Sequence, residues 1–233
     1  MNCIQGAKCV CYSINTSIPN TISWNNSPFS FTEYIGEVWG RKAYRLSAPD
    51  CPPCLALYEN GGFCQVYETG LRPIQSGVYS SLLRWNVMKS KDQNGCEMIL
   101  YEPSNEKSDS LIVLLHGGPH NCFAACYTPD ILFYVYQKYT VLVPNYHGSF
   151  GAGDAFLHSL CGHIGDIEIH DVLDSIETAL RERPNLSHDS LYLMGSSYGG
   201  FIGMKLLQAR PTLFRVVEWI VFVVVCDSAE WSI

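Results

Sequence analysis

The stretch LYLMGSSYGGFIGMKLL, residues 191–207, decides the fold of this chain. Its first four residues are apolar and suit a short buried strand, and residues 201–209 have the composition of a helix. Between them Gly195-Ser196-Ser197-Tyr198-Gly199-Gly200 leaves room for one tight turn. A strand that enters a helix through G-x-S-x-G lifts its central serine, here Ser197, to the end of the sheet as a nucleophile. The serine is expected to sit in a strained conformation, and Gly195 and Gly199 to give it space by having no Cβ. The following helix aims its first N–H groups where negative charge would develop.

Upstream, LIVLL at Leu111–Leu115 is the apolar run expected of a parallel strand covered on both faces. It ends in His116-Gly117-Gly118-Pro119. Alone, that tetrapeptide reads as an ordinary turn after a strand. Standing before an elbow, with a strand and helices between, it reads as the loop that supplies the second oxyanion-hole donor. The two donors are then the backbone N–H groups of Tyr198 and Gly118. Further strands are expected at 98–101 and 140–144, and helices at 123–139 and 166–183, the last stopped by Pro184. Asp154 is expected as an N-cap, and Asp166, Asp171 and Asp174 as helix-start charges and solvated face residues. From about residue 80 onward, strands and helices alternate, which is the pattern of an α/β sheet.

Residues 1 to about 75 are different in texture, rich in Asn, Ser, Pro, Gly, Cys and Tyr, with short β-prone pieces at 29–31 and 56–58. No internal period marks a complete repeat array. The whole chain has 233 residues, 47% hydrophobic and 16% charged, which excludes a mainly disordered protein. A net charge of -7 with scattered basic residues argues against nucleic acid as a partner. The longest strongly apolar run, residues 219–226, is short of the ~20 residues a bilayer span takes, and the first residues do not read as a secretory signal. A soluble, cytoplasmic protein with no membrane partner is the expectation. Eleven cysteines are then expected as reduced thiols, and the sequons at Asn15, Asn25 and Asn185 as chance patterns. Cys51-Pro52-Pro53-Cys54 has the spacing of a redox pair or half a zinc site, but its prolines favour a chance pair in a turn.

LIVLLHGGPH, VLVPNYHGSFGAGDAF, GHIGDIEIHDVLDSIETAL and LYLMGSSYGGFIGMKLL, taken in order, resemble the catalytic domain of the prolyl oligopeptidase family of serine peptidases, and within it the acylaminoacyl-peptidase subgroup. The resemblance covers roughly residues 98–214. It implies an N-terminal β-propeller, a C-terminal α/β-hydrolase domain, and release of an N-acylated amino acid from a blocked peptide through an acyl-enzyme. It assigns Ser197 as nucleophile and Tyr198 and Gly118 as oxyanion donors. No cofactor and no metal is implied, and self-association into a homo-oligomer is left open. At His147 the relatives usually carry Arg, so a fixed planar cation is replaced by a titrating group.

A serine hydroxyl needs a histidine to take its proton and a carboxylate to orient that histidine. All seven histidines precede Ser197, and Asp227 and Glu230 follow it before another strand–helix–strand unit can be laid down. The usual triad is therefore not expected to close within these residues. His147 and His163 are expected on loops that could approach the elbow, but lone histidines are more often surface or structural groups. The fold expected is a partial α/β-hydrolase over 81–233, a mostly parallel sheet with helices on both faces. An irregular or β-rich remnant of a propeller-like region precedes it over 1–80. The function expected is that of a serine peptidase, and the alternative is a truncated, inactive hydrolase-like fragment serving as a binding or interaction module.

Overall fold

The computed structural model describes residues 2–5, 8–11, 31–60, 62–68, 82–90 and 96–219. The first part of the chain forms a six-stranded sheet, β1 (Asn2–Gln5), β2 (Lys8–Cys11), β3 (Phe31–Val38), β4 (Arg41–Ala48), β5 (Cys51–Glu59) and β6 (Gly62–Glu68), arranged in chain order. Every pair is antiparallel except β2 with β3, which run parallel. Trp39 and Gly40, with φ of 52° and 75°, make the two-residue turn between β3 and β4. Both central residues at positive φ match the twist that hairpin strands require. Tyr44, Leu46, Cys54 and Ala56 build a small core on this sheet.

Cys51-Pro52-Pro53-Cys54 corrects one expectation, because it opens β5 and is not a turn. The register between β4 and β5 shifts at Leu46 and Ala48, so both prolines fall opposite Ser47 in a bulge. Proline lacks the N–H a ladder needs and is accommodated at such places. Cys54 is buried and Cys51 half-buried.

The second sheet contains β7 (Leu83–Lys89), β8 (Glu97–Pro103), β9 (Leu111–Leu115), β10 (Thr140–Asn145), β11 (Leu191–Gly195) and β12 (Val216–Trp219) in the order β12-β11-β9-β10-β8-β7. β9, β10, β11 and β12 run parallel, while β7 and β8 close one side with antiparallel pairs. Successive residues of a strand face opposite ways, and the core divides accordingly. Met98, Leu100, Val113, Leu142 and Leu193 lie on one face with Val172 and Ile176 of α3 (Ile167–Glu182) and Ile202 and Leu206 of α4 (Tyr198–Ala209). Ile99, Tyr101, Ile112, Val141 and Val143 face the other way, toward Ile131 and Val135 of α1 (Pro129–Tyr136). Helices thus cover both faces, which is why the central strands read as unbroken apolar runs.

Two helical expectations change. Residues 123–139 hold only α1, which begins at Pro129, where a missing N–H costs nothing. Before it, the Asn145 side chain accepts the Phe123 N–H at 2.8 Å and donates to the Phe123 carbonyl at 3.0 Å, occupying the groups a helix would need. Asp154 is the first residue of α2 (Asp154–His158), and the capping position is taken by Gly153 at φ 96°. The β-prone tail contributes β12, parallel to β11. Residues 220–233, Asn15, Asn25 and the expected strand start at 29–30 lie outside the described residues. Asn185 donates its side-chain amide to the Ser108 carbonyl. No helix among the described residues is long and apolar enough to cross a membrane.

Candidate active site

β9 and β11 are parallel neighbours in a register that sets Leu115 beside Gly195, so the residues leaving both strands emerge together. From β11 the chain turns at once into α4, with Ser197 at the capping position in a backbone conformation of φ 53°, ψ −118°. That region is rarely occupied by a residue with a Cβ. The turn is closed by two near contacts. A Cβ on Gly195 would lie 2.6 Å from the Gly199 carbonyl oxygen, and one on Gly199 would lie 2.6 Å from the Leu115 carbonyl oxygen and 2.8 Å from that of His116. Gly199 therefore sets α4 directly on the end of β9.

The other loop closes over the same point. A Cβ on Gly117 would meet the Ser197 Cβ at 3.2 Å and the Ser196 carbonyl at 3.1 Å. Gly118 follows at φ 49°, exposed. The fold thus brings Ser197, the start of α4 at Tyr198, and the Gly117-Gly118 run into one place.

Around this point lie polar residues to which the sequence analysis gave no catalytic role. Glu168 is fully buried on α3, and its Oε1 accepts the Tyr198 hydroxyl at 2.7 Å and the Gly165 N–H at 2.7 Å. Burial, with Glu168 alongside, pushes the Tyr198 phenol well up. His116 is 4% exposed; its Nε2 lies 2.9 Å from Ser149 Oγ and its Nδ1 3.0 Å from the Tyr146 hydroxyl. Burial pushes His116 down to about 4, against a smaller upward effect of the Gly117 carbonyl. The ring is therefore neutral near pH 7 and stacks on Tyr146 at 4.2 Å.

His147 is buried as well, stacked on Phe156 at 4.1 Å. Its Nδ1 meets Asp171 Oδ2 at 2.6 Å, and its backbone N–H donates to the same oxygen at 2.7 Å. Asp171 was expected on the solvated face of α3 and is instead buried there. Desolvation raises its carboxyl and the bonds from His147 oppose that rise. Glu168, Asp171 and Ser175 follow the helical spacing of Ile169, Val172 and Ile176, so all are buried on α3. That spacing was the readable signal for all three. His163 is exposed, with Nδ1 3.2 Å from the Cys161 carbonyl. Among the described residues no histidine bonds the Ser197 hydroxyl.

Residues 128–230 match the prolyl oligopeptidase family. Acylamino-acid-releasing enzyme 1 of Oryza sativa subsp. japonica is 36% identical over 103 residues, 44% of this chain and 13% of that protein. The acylamino-acid-releasing enzyme of Homo sapiens is 32% identical over 122 residues, 51% of this chain and 16% of that one. The chain spans only a small part of the length of these curated relatives. A solved acylaminoacyl peptidase of Pyrococcus horikoshii shares the fold, with a TM-score of 0.77 over 93% of this chain and 34% of its own, at 17% identity.

Proposed function

We infer that a chain whose residues 128–230 belong to the prolyl oligopeptidase family carries the nucleophile and oxyanion half of a serine peptidase site, and that its substrates are N-acylated peptides. The observation that carries this reading is Ser197 at φ 53° on the strand-to-helix turn, with Gly117 packed against it. The Ser197 hydroxyl would attack the carbonyl carbon of an acylated residue. The Tyr198 and Gly118 N–H groups would take the charge that forms on its oxygen, where preorganised donors have most effect. Collapse of that intermediate expels the amine of the shortened peptide and leaves the acylated amino acid on Ser197, from which water releases it. The substrate class rests on the similarity to the acylamino-acid-releasing enzymes of rice and human.

The same proposal takes residues 81–233 as catalytic domain and 1–80 as a propeller remnant. Strands β3 to β6 form a four-stranded meander, the build of one propeller blade. A cytoplasmic location also belongs here; Cys96, Cys126 and Cys161 stand as thiols in the structure, as a reducing compartment would leave them.

A second reading, an inactive module that binds acylated peptides, is favoured by one observation: no described histidine stands against the Ser197 hydroxyl. Anilides of an acetylated and an unblocked amino acid separate the two. Release of the aniline from the acetylated compound alone, lost in Ser197→Ala, supports the peptidase. Saturable binding of the acetylated compound with no release supports the binding module.

A further inference from the structure

The end of β10 and the segment after it touch the chain that follows β9, from His116 to Phe123, at almost every residue. Asn145 holds both backbone groups of Phe123, the Gly148 carbonyl meets His120 Nδ1 at 3.0 Å, and the Phe150 N–H donates to the Asn121 carbonyl at 3.0 Å. At the centre are Tyr146 and Ser149, both fully buried, and both directed at His116. His116 immediately precedes the two glycines, and its carbonyl oxygen is one of the atoms against which Gly199 packs. Whatever fixes residue 116 therefore fixes both the start of the oxyanion loop and its seat on α4.

The protons in this cluster can be placed by counting. The Tyr146 hydroxyl donates to the His116 carbonyl at 2.8 Å, which uses its one proton. At 3.0 Å from His116 Nδ1 the tyrosine oxygen must then accept, and the Gly117 carbonyl, 3.1 Å from the same nitrogen, can only accept. Nδ1 accordingly carries the ring proton. Nε2 is left to accept from the Ser149 hydroxyl at 2.9 Å. Burial, which favours the uncharged ring, agrees with this assignment.

We propose that Tyr146 and Ser149 are positioning residues for the oxyanion donor Gly118, acting through His116, which they hold as the Nδ1–H tautomer. The inference rests on the reading of Gly118 as a donor to the developing oxyanion. Tyr146 restrains the peptide at residue 116 through its carbonyl, and Ser149 restrains the ring from the opposite side, so the loop meets substrate already oriented.

Two measurements on the full chain test this. The first is the side-chain nitrogen-15 spectrum of the wild type near pH 7, assigned with His116→Gln. It should show His116 protonated at Nδ1 alone; protonation at Nε2, or at both nitrogens, overturns the proposal. The second is the second-order rate at which a fluorophosphonate modifies Ser197, because the bound phosphoryl oxygen occupies the oxyanion position. Tyr146→Phe and Ser149→Ala, confirmed folded by their amide spectra, should each slow that rate about tenfold, as loss of one ordinary hydrogen bond would. Ser149→Ala should also redistribute the His116 tautomers. A labelled wild type with both folded variants reacting at the same rate overturns the inference alone. A wild type that takes up no reagent overturns the reading of the site beneath it.

Discussion

Ser197 occupies a backbone region that costs a residue with a Cβ about 1–3 kcal/mol, and it does so at the first turn of a helix that packs on the sheet. The site therefore stores strain that glycine would relieve. Ser197→Gly is expected to be more stable than Ser197→Ala by at least ~1 kcal/mol in urea unfolding, although both remove the hydroxyl. Equal stabilities would mean that the turn is unstrained. His116 adds a pH dependence whose direction follows from its burial. Its ordinary value is 6.5 and the fold pushes it down to about 4, so between those values the unfolded chain binds a proton that the folded chain refuses. Stability from this group is present above about pH 6.5 and is lost as pH falls toward 4, by at most about 3 kcal/mol. The urea midpoint of the wild type should drop more steeply from pH 7 to 4.5 than that of His116→Gln, and parallel curves would contradict the assignment. The serine and its two glycines were legible because a fixed spacing encodes the turn. The anchoring of His116 was not, since its partners at 146 and 149 are thirty or more residues away in sequence.

At the scale of elements, the site is the meeting of two strand ends. Leu115 and Gly195 are register partners, and Gly199 brings α4 down onto the carbonyls of Leu115 and His116. Gly199→Ala would place a carbon 2.6 Å from a backbone oxygen that has no flexible side chain to give way. The variant should lose at least about 2 kcal/mol of stability, or fail to fold, as read by thermal unfolding. Wild-type stability in Gly199→Ala would show that helix and strand can separate freely. β9 was readable to the residue, as LIVLL between polar neighbours. The supposed helix over 123–139 was misread because its apolar content gave no sign that Asn145 would claim the backbone of Phe123. Asp171 was misread for the related reason that a carboxylate on a helix is usually solvated, whereas here His147 supplies two hydrogen bonds that make burial tolerable.

At the scale of the molecule, the second sheet was legible and the first was largely not. Strands covered on both faces give continuous apolar runs, by which β8, β9, β10 and β11 were read, whereas β7, which no helix separates from β8, and the order β12-β11-β9-β10-β8-β7 were not. In the first sheet, alternation of inward and outward residues is broken by bulges at Tyr34–Gly36 and Leu46–Ala48, and Ile35 and Trp39 stand exposed. Without a clean period of two, its strands read as turn-rich sequence. What joins the molecular scale to chemistry is the claim that this arrangement presents Ser197 as a reactive nucleophile. The direct measurement is long incubation of the folded full chain with a fluorophosphonate, followed by mass spectrometry of its peptides. On that reading the elbow and the proposed oxyanion donors would act on the reagent even where no histidine assists, so slow labelling is expected, with one phosphonyl group per chain on Ser197 and none on Ser197→Ala. A folded chain with no adduct on Ser197, or with adducts scattered equally over other serines, would contradict it.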